Sequence, residues 1–99
     1  MPEYKLTKKA VEDLSAIWNY TYDKWSEKQA DLYYNMLLDN CAKIAENPML
    51  GKNYEGILDQ FFGLRAGRHI IFYRKIEKNL VEITRILHER MDFENRIMG

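Results

Sequence analysis

The sequence predicts an α+β fold, β-α-α-β-β-β, with a helical hairpin packed on one face of a small, mostly antiparallel sheet. Three observations carry this. Apolar residues recur at helical spacing over two adjacent stretches of the first half. The second half turns to short β-branched and aromatic runs broken by Gly and Asn. The 99 residues, 46% hydrophobic and 30% charged, suffice for one core and for a single domain over 1–99, not for two.

Glu3 to Thr7 alternates weakly and reads as a first strand, with Thr7 placed to cap a helix. From Val11 the residues Leu14, Trp18, Tyr22 and Trp25 recur every three or four positions, with Ala10 and Ile17 widening the stripe. Glu12, Asp13, Asn19 and Asp23 fall on the opposite face and are expected to be wet. Ser26 opens a second helix, and Gln29 completes a capping-box pattern. Its stripe is Ala30, Tyr33, Leu37, Cys41 and Ile44, and Asn47-Pro48 stops it. So short a link predicts a helical hairpin packed stripe to stripe.

Met49 to Gln60 has no sustained period and reads as a loop long enough to be functional. Phe61 to Arg65 then forms a strand, with a turn at Ala66-Gly67. His69 to Ile76 forms the next, and Glu77-Lys78-Asn79 turns into a last strand, Leu80 to Leu87. Strict alternation puts Val81, Ile83, Arg85 and Leu87 on one face and Glu82, Thr84, Ile86 and His88 on the other. Met91 to Gly99 reads as a tail, with a short helix capped by Asp92.

Composition excludes several classes. Lys+Arg and Asp+Glu both number 15, which gives no case for an all-over nucleic-acid or membrane binder. Cys41 is alone and two histidines offer little for zinc, so no disulfide framework, metal or other cofactor is expected. Without an apolar leader or a long apolar run, the chain reads as soluble and cytoplasmic. Cys41 and the aromatics Trp18, Tyr22, Trp25, Tyr33 and Tyr34 read as packing residues. All six arginines lie in residues 51–99, so an anion-recognising surface is expected there.

Three stretches, in order, carry a resemblance. They are Ala45-Glu46-Asn47-Pro48 through Gly51-Lys52, Arg68-His69-Ile70-Ile71-Phe72-Tyr73, and Arg85-Ile86-Leu87-His88-Glu89-Arg90-Met91-Asp92. With this element order the chain resembles the ParE/RelE superfamily of small bacterial toxins from type II toxin–antitoxin systems, and the last block looks like the ParE branch. The resemblance implies a toxin neutralised by a cognate antitoxin encoded beside it. ParE-like members act on DNA gyrase and RelE-like members cut messenger RNA in the ribosome, so the residues must decide between them.

Cleaving a phosphodiester through the ribose 2′-hydroxyl needs a base, an acid and cations around the transition state. A nuclease reading would use Lys52, Arg65, His88 and Arg90. The loop has a single lysine diluted by Glu55 and Asp59, the tail offers no tyrosine or histidine, and His88 is the only imidazole near the last strand's end. The acid–base set is incomplete, which predicts a protein that is not an enzyme and acts by binding, and the resemblance implies DNA gyrase as the target. The expected gyrase contacts are His88, Arg90, Met91, Phe93 and Arg96.

For the antitoxin, Arg65, Arg74 and Arg85 are the expected partners of acidic side chains, unless they are ordinary ion-paired strand arginines. Arg85 interrupts an apolar face, so it either pairs with a buried acid or awaits an acidic partner. Reversing its charge is expected to weaken antitoxin binding without unfolding the toxin. Direct nucleic-acid binding by the toxin alone and membrane binding are not expected. Besides a ribosome-dependent endoribonuclease, an inactive antitoxin-binding module remains open.

Overall fold

In the computed structural model, which describes residues 2–53 and 61–90, the chain runs β1 (Glu3–Leu6), α1 (Lys8–Lys24), α2 (Glu27–Glu46), β2 (Lys52–Asn53), β3 (Phe62–Ala66), β4 (His69–Glu77) and β5 (Leu80–His88). The strands form one sheet in the order β1-β5-β4-β3-β2. β1 lies parallel to β5 and the other pairings are antiparallel. The expected helix at Asp92, the tail residues Met91, Phe93 and Arg96, and residues 54–60 of the loop lie outside the described residues.

Both helices begin where their caps dictate. Thr7 Oγ1 accepts the Ala10 N–H at 3.0 Å, and Ser26 Oγ accepts that of Gln29 at 3.1 Å. The sheet-facing line of α1 is Ala10, Leu14 and Ile17, and that of α2 is Leu37, Cys41 and Ile44. These close over Ile71 and Tyr73 of β4 and Val81, Ile83 and Ile86 of β5.

The aromatic continuation of the α1 stripe is not core. Tyr22 and Trp25 are 50% and 76% exposed, lying a fraction of a turn round from the buried line, where a helical period cannot distinguish flank from centre. Trp18 stacks on Tyr22 with ring centroids 5.3 Å apart, and its Nε1–H donates to Asp31 of α2 at 3.0 Å. Tyr33 and Tyr34 do pack against the core.

Strict alternation fails in β5 because the strand carries a bulge. Phe72 lies opposite Arg85 but Tyr73 lies opposite Ile83, leaving Thr84 as the extra residue. The pattern therefore inverts after it. Val81, Ile83 and Ile86 share the helix side, whereas Leu87 joins Ile70 and Phe72 in a second cluster on the other side.

β1 ends before the bulge, so α1 serves the uncovered edge of β5. Thr7 takes the Ile83 carbonyl with its N–H at 3.1 Å and the Thr84 carbonyl with its hydroxyl at 2.7 Å. Asp13, expected to be wet, is half-buried here. Its Oδ2 accepts the Ile86 N–H at 3.0 Å and Arg85 Nε at 2.8 Å, while Oδ1 accepts Arg85 Nη2 at 2.9 Å. Of the two alternatives for Arg85, the structure selects the intramolecular acid.

β2 falls inside the expected loop, too short to leave a period. It is pinned by Tyr73, a buried core residue. Tyr73 Oη donates to the Pro48 carbonyl and accepts the Gly51 N–H, both at 2.8 Å. Gly51 is required by this approach, since a Cβ there would come 2.5 Å from Tyr73 Oη and 2.9 Å from the Gly63 carbonyl.

Asp13→Ala is expected to cost about 2–3 kcal/mol in urea unfolding, because Arg85 and the Ile86 N–H lose their partner. With Arg85→Ala added, the two losses should be clearly less than additive; full additivity would mean the pair is not coupled. Tyr73→Phe should cost about 1–2 kcal/mol by the same measurement, through two orphaned backbone groups.

Candidate functional site at the exit of the last strand

Strands β3, β4 and β5 end together, and register decides what meets there. His69 lies opposite Ala66 on one side and His88 on the other. Ala66 belongs to the core under the helices, so both imidazoles lie on that side of the sheet. Tyr33 of α2 reaches them. Its Oη lies 2.6 Å from His69 Nδ1 and accepts the Arg68 N–H at 2.9 Å. Tyr33 Oη thus bridges the Arg68 backbone and the His69 ring.

The rings of His69 and His88 meet edge-on, with centroids 5.4 Å apart. His88 was thus not the only imidazole at this end; cross-strand pairing brings in a histidine nineteen positions earlier in the chain. Burial first, and the neighbouring His88 second, lower the His69 pKa to about 4, so the ring is neutral at pH 7. The turn joining β3 to β4 is at Gly67-Arg68, one residue later than expected. Gly67 has φ 62°, and a Cβ there would come 2.7 Å from Tyr33 Oη.

Beyond β5 the backbone is held twice more. Glu89 N–H donates to the Arg68 carbonyl at 3.0 Å, and Arg90 N–H donates to His88 Nδ1 at 3.2 Å. The Glu89 carboxylate pairs with Arg65. Sequence reasoning missed Tyr33, His69 and Glu89 in this role. The sequence signals were His69 within the Arg68–Tyr73 stretch and Glu89 within the Arg85–Asp92 stretch.

Of the four residues of the nuclease reading, Lys52, Arg65 and His88 do not converge. Arg65 lies opposite Ile70 of the second cluster, on the side away from the helices, whereas His88 lies beneath them. Lys52 is opposite Gly63. Strand spacing puts it three strands across and three residues along from His88, roughly 17 Å away. Among the described residues no three of His, Cys, Asp and Glu are grouped to hold a metal ion. Cys41 is buried in the core, and burial pushes its thiol up to about 12.

The three arginines expected to meet an antitoxin do share a face by register, since Arg65, Arg74 and Arg85 pair with Ile70, Glu82 and Phe72. Each already holds a carboxylate of the same chain. Arg74 Nε meets Glu82 at 3.0 Å, with its guanidinium 5.9 Å from the centre of the Phe61 ring. The side chains of Arg65 and Arg74 are 66% and 45% exposed, against 14% for Arg85. Arg85 is clamped to Asp13 in a half-buried pair, which weighs against reversing its charge without harm to the fold.

A helical hairpin on a five-stranded mixed sheet, with paired arginines on the open face, defines a small α+β protein. A family model described as "ParE toxin of type II toxin-antitoxin system, parDE" matches residues 4–93. "Toxin ParE1" of Mycobacterium tuberculosis is 34% identical over 94 residues, covering 95% of this chain and 96% of that protein. "Toxin ParE1" of Caulobacter vibrioides is 35% identical over 92 residues, covering 93% and 94%. A solved structure titled "Chromosomal ParDE TA system from P. aeruginosa" shares the fold, with a TM-score of 0.76 at 18% identity over 89% of this chain and 96% of that one. The chain belongs to the ParE toxin family of type II toxin–antitoxin systems.

His69 ties stability to pH. An unfolded histidine takes its proton near 6.5 and folded His69 near 4, so its contribution is complete above pH 6.5 and falls as the pH drops through that window. We expect chemical denaturation to show roughly 2 kcal/mol less stability at pH 4.5 than at pH 7 from this group. His69→Gln should remove that part of the slope; identical slopes would exonerate His69.

Proposed function

We propose that this protein is a toxin that binds DNA gyrase, traps it with its DNA cleaved, and is held inactive by an antitoxin encoded beside it. The observation that carries this is the likeness to toxins named ParE1 over nearly the whole chain. It is supported by a candidate nuclease set whose members face opposite sides of the sheet. Gyrase is the target the family resemblance implies, and the cytoplasm is where the toxin would meet it. Catalysis has no part in this reading. The target contacts we assign are Arg90 and, beyond the described residues, Met91, Phe93 and Arg96.

Arg65 and Arg74 are the arginines we assign to the antitoxin. Their present pairs with Glu89 and Glu82 are solvent-exposed and of the kind worth under about 1 kcal/mol. An incoming acidic segment can displace such a carboxylate at little cost and fold as it binds. Arg85 is not available in the same way. DNA contacts of the toxin–antitoxin pair are assigned to the antitoxin.

Purified toxin incubated with gyrase, ATP and supercoiled plasmid should accumulate cleaved DNA, and antitoxin should reverse it. Cuts in ribosome-bound messenger RNA, with no effect on gyrase, would replace this reading with an endoribonuclease. Harmlessness in both assays would point to an inactive antitoxin-binding module. Arg65→Glu with Arg74→Glu should weaken antitoxin binding by about tenfold or more while leaving the melting temperature within a few degrees. Unchanged affinity would remove that face from the antitoxin site.

A further inference from the structure

The direction in which the chain leaves β5 is set by a histidine acting as a turn residue. His88 Nδ1 accepts the N–H of Arg90, two positions on, the connectivity by which Asn and Asp side chains close a turn. An acceptor nitrogen must be unprotonated, which assigns the His88 proton to Nε2. The ring is braced edge-on by His69. His69 in turn is fixed by Tyr33 Oη, and that hydroxyl by the Arg68 N–H. Together with the Arg68 carbonyl on the Glu89 N–H, this restrains the backbone at two successive residues.

We propose that His88 is a positioning residue that fixes the backbone at Arg90 for contact with the toxin's target, with His69 and Tyr33 holding it in place. This rests on the reading that the target contacts begin at Arg90. It assigns His88 Nδ1 to the chain's own backbone rather than to the target. The chemistry demanded of residue 88 is then a single acceptor at the Nδ1 position. Asparagine supplies one in nearly the same place, whereas phenylalanine keeps the ring and loses the acceptor.

The test compares the wild-type protein with His88→Asn, His88→Phe and Tyr33→Phe, reading Arg90 amide exchange by NMR and gyrase-dependent DNA cleavage. His88→Leu repeats the acceptor-less case should the larger ring prevent folding. His88→Asn should keep Arg90 protection and activity. His88→Phe should exchange about tenfold faster at Arg90 and need about tenfold more protein for half-maximal cleavage. Tyr33→Phe should fall between them.

If His88→Asn is as inactive as His88→Phe while its Arg90 amide stays protected, the imidazole itself touches the target and the proposal fails. Equal Arg90 exchange in every variant would equally overturn it. Wild-type protein without effect on gyrase would defeat the functional reading instead, and the Arg90 amides would then decide the turn alone.

Discussion

The carboxylate of Asp13 is the contact on which the rest of the structure turns. β1 stops at Leu6 while β5 runs on to His88, so the far half of β5 would present an unpaired edge. Thr7 and Asp13, from the start of α1, take over the carbonyls of Ile83 and Thr84 and the N–H of Ile86. Helix and strand edge are thereby joined at the bulge. The bulge decides that Ile86 faces the helices and Leu87 does not, and so brings His88 beneath Tyr33's end of the hairpin.

Arg85 follows from the same contact. Two hydrogen bonds to Asp13 keep its guanidinium charged in a half-buried site, where an unpartnered cation would be costly. Arg65 and Arg74 share its face by register but keep their own guanidinium groups largely in water. Three arginines that look alike in the sequence thus divide by burial into one half-buried guanidinium and two exposed ones.

Two tyrosines do comparable work at opposite ends of the sheet. Tyr73 bridges the Pro48 carbonyl and the Gly51 N–H, holding the chain after α2 close enough to add β2. Tyr33 bridges the Arg68 N–H and His69 Nδ1, fixing the turn between β3 and β4 and, through the histidines, the exit from β5. In each case a core ring carries a hydroxyl to backbone that no regular ladder would satisfy. Glycine stands where the hydroxyl comes closest, at Gly51 and Gly67. The stretches that carry the family resemblance coincide with these places.

The amino-acid pattern alone determined the two helices, their caps at Thr7 and Ser26, the three-strand meander and the placement of every arginine in the second half. These are local matters, settled by period, capping and turn residues within a few positions of one another. It also pointed to His88 and Arg90, through a short motif. What only the tertiary structure decided is everything that depends on one extra residue or on a distant partner. The bulge at Thr84 reversed the faces of the last strand, because a period of two keeps no memory across an insertion. Asp13 became a half-buried partner and Trp25 an exposed residue, because a helical stripe does not say where the sheet ends. His69 met His88 because register, not chain distance, sets which side chains touch.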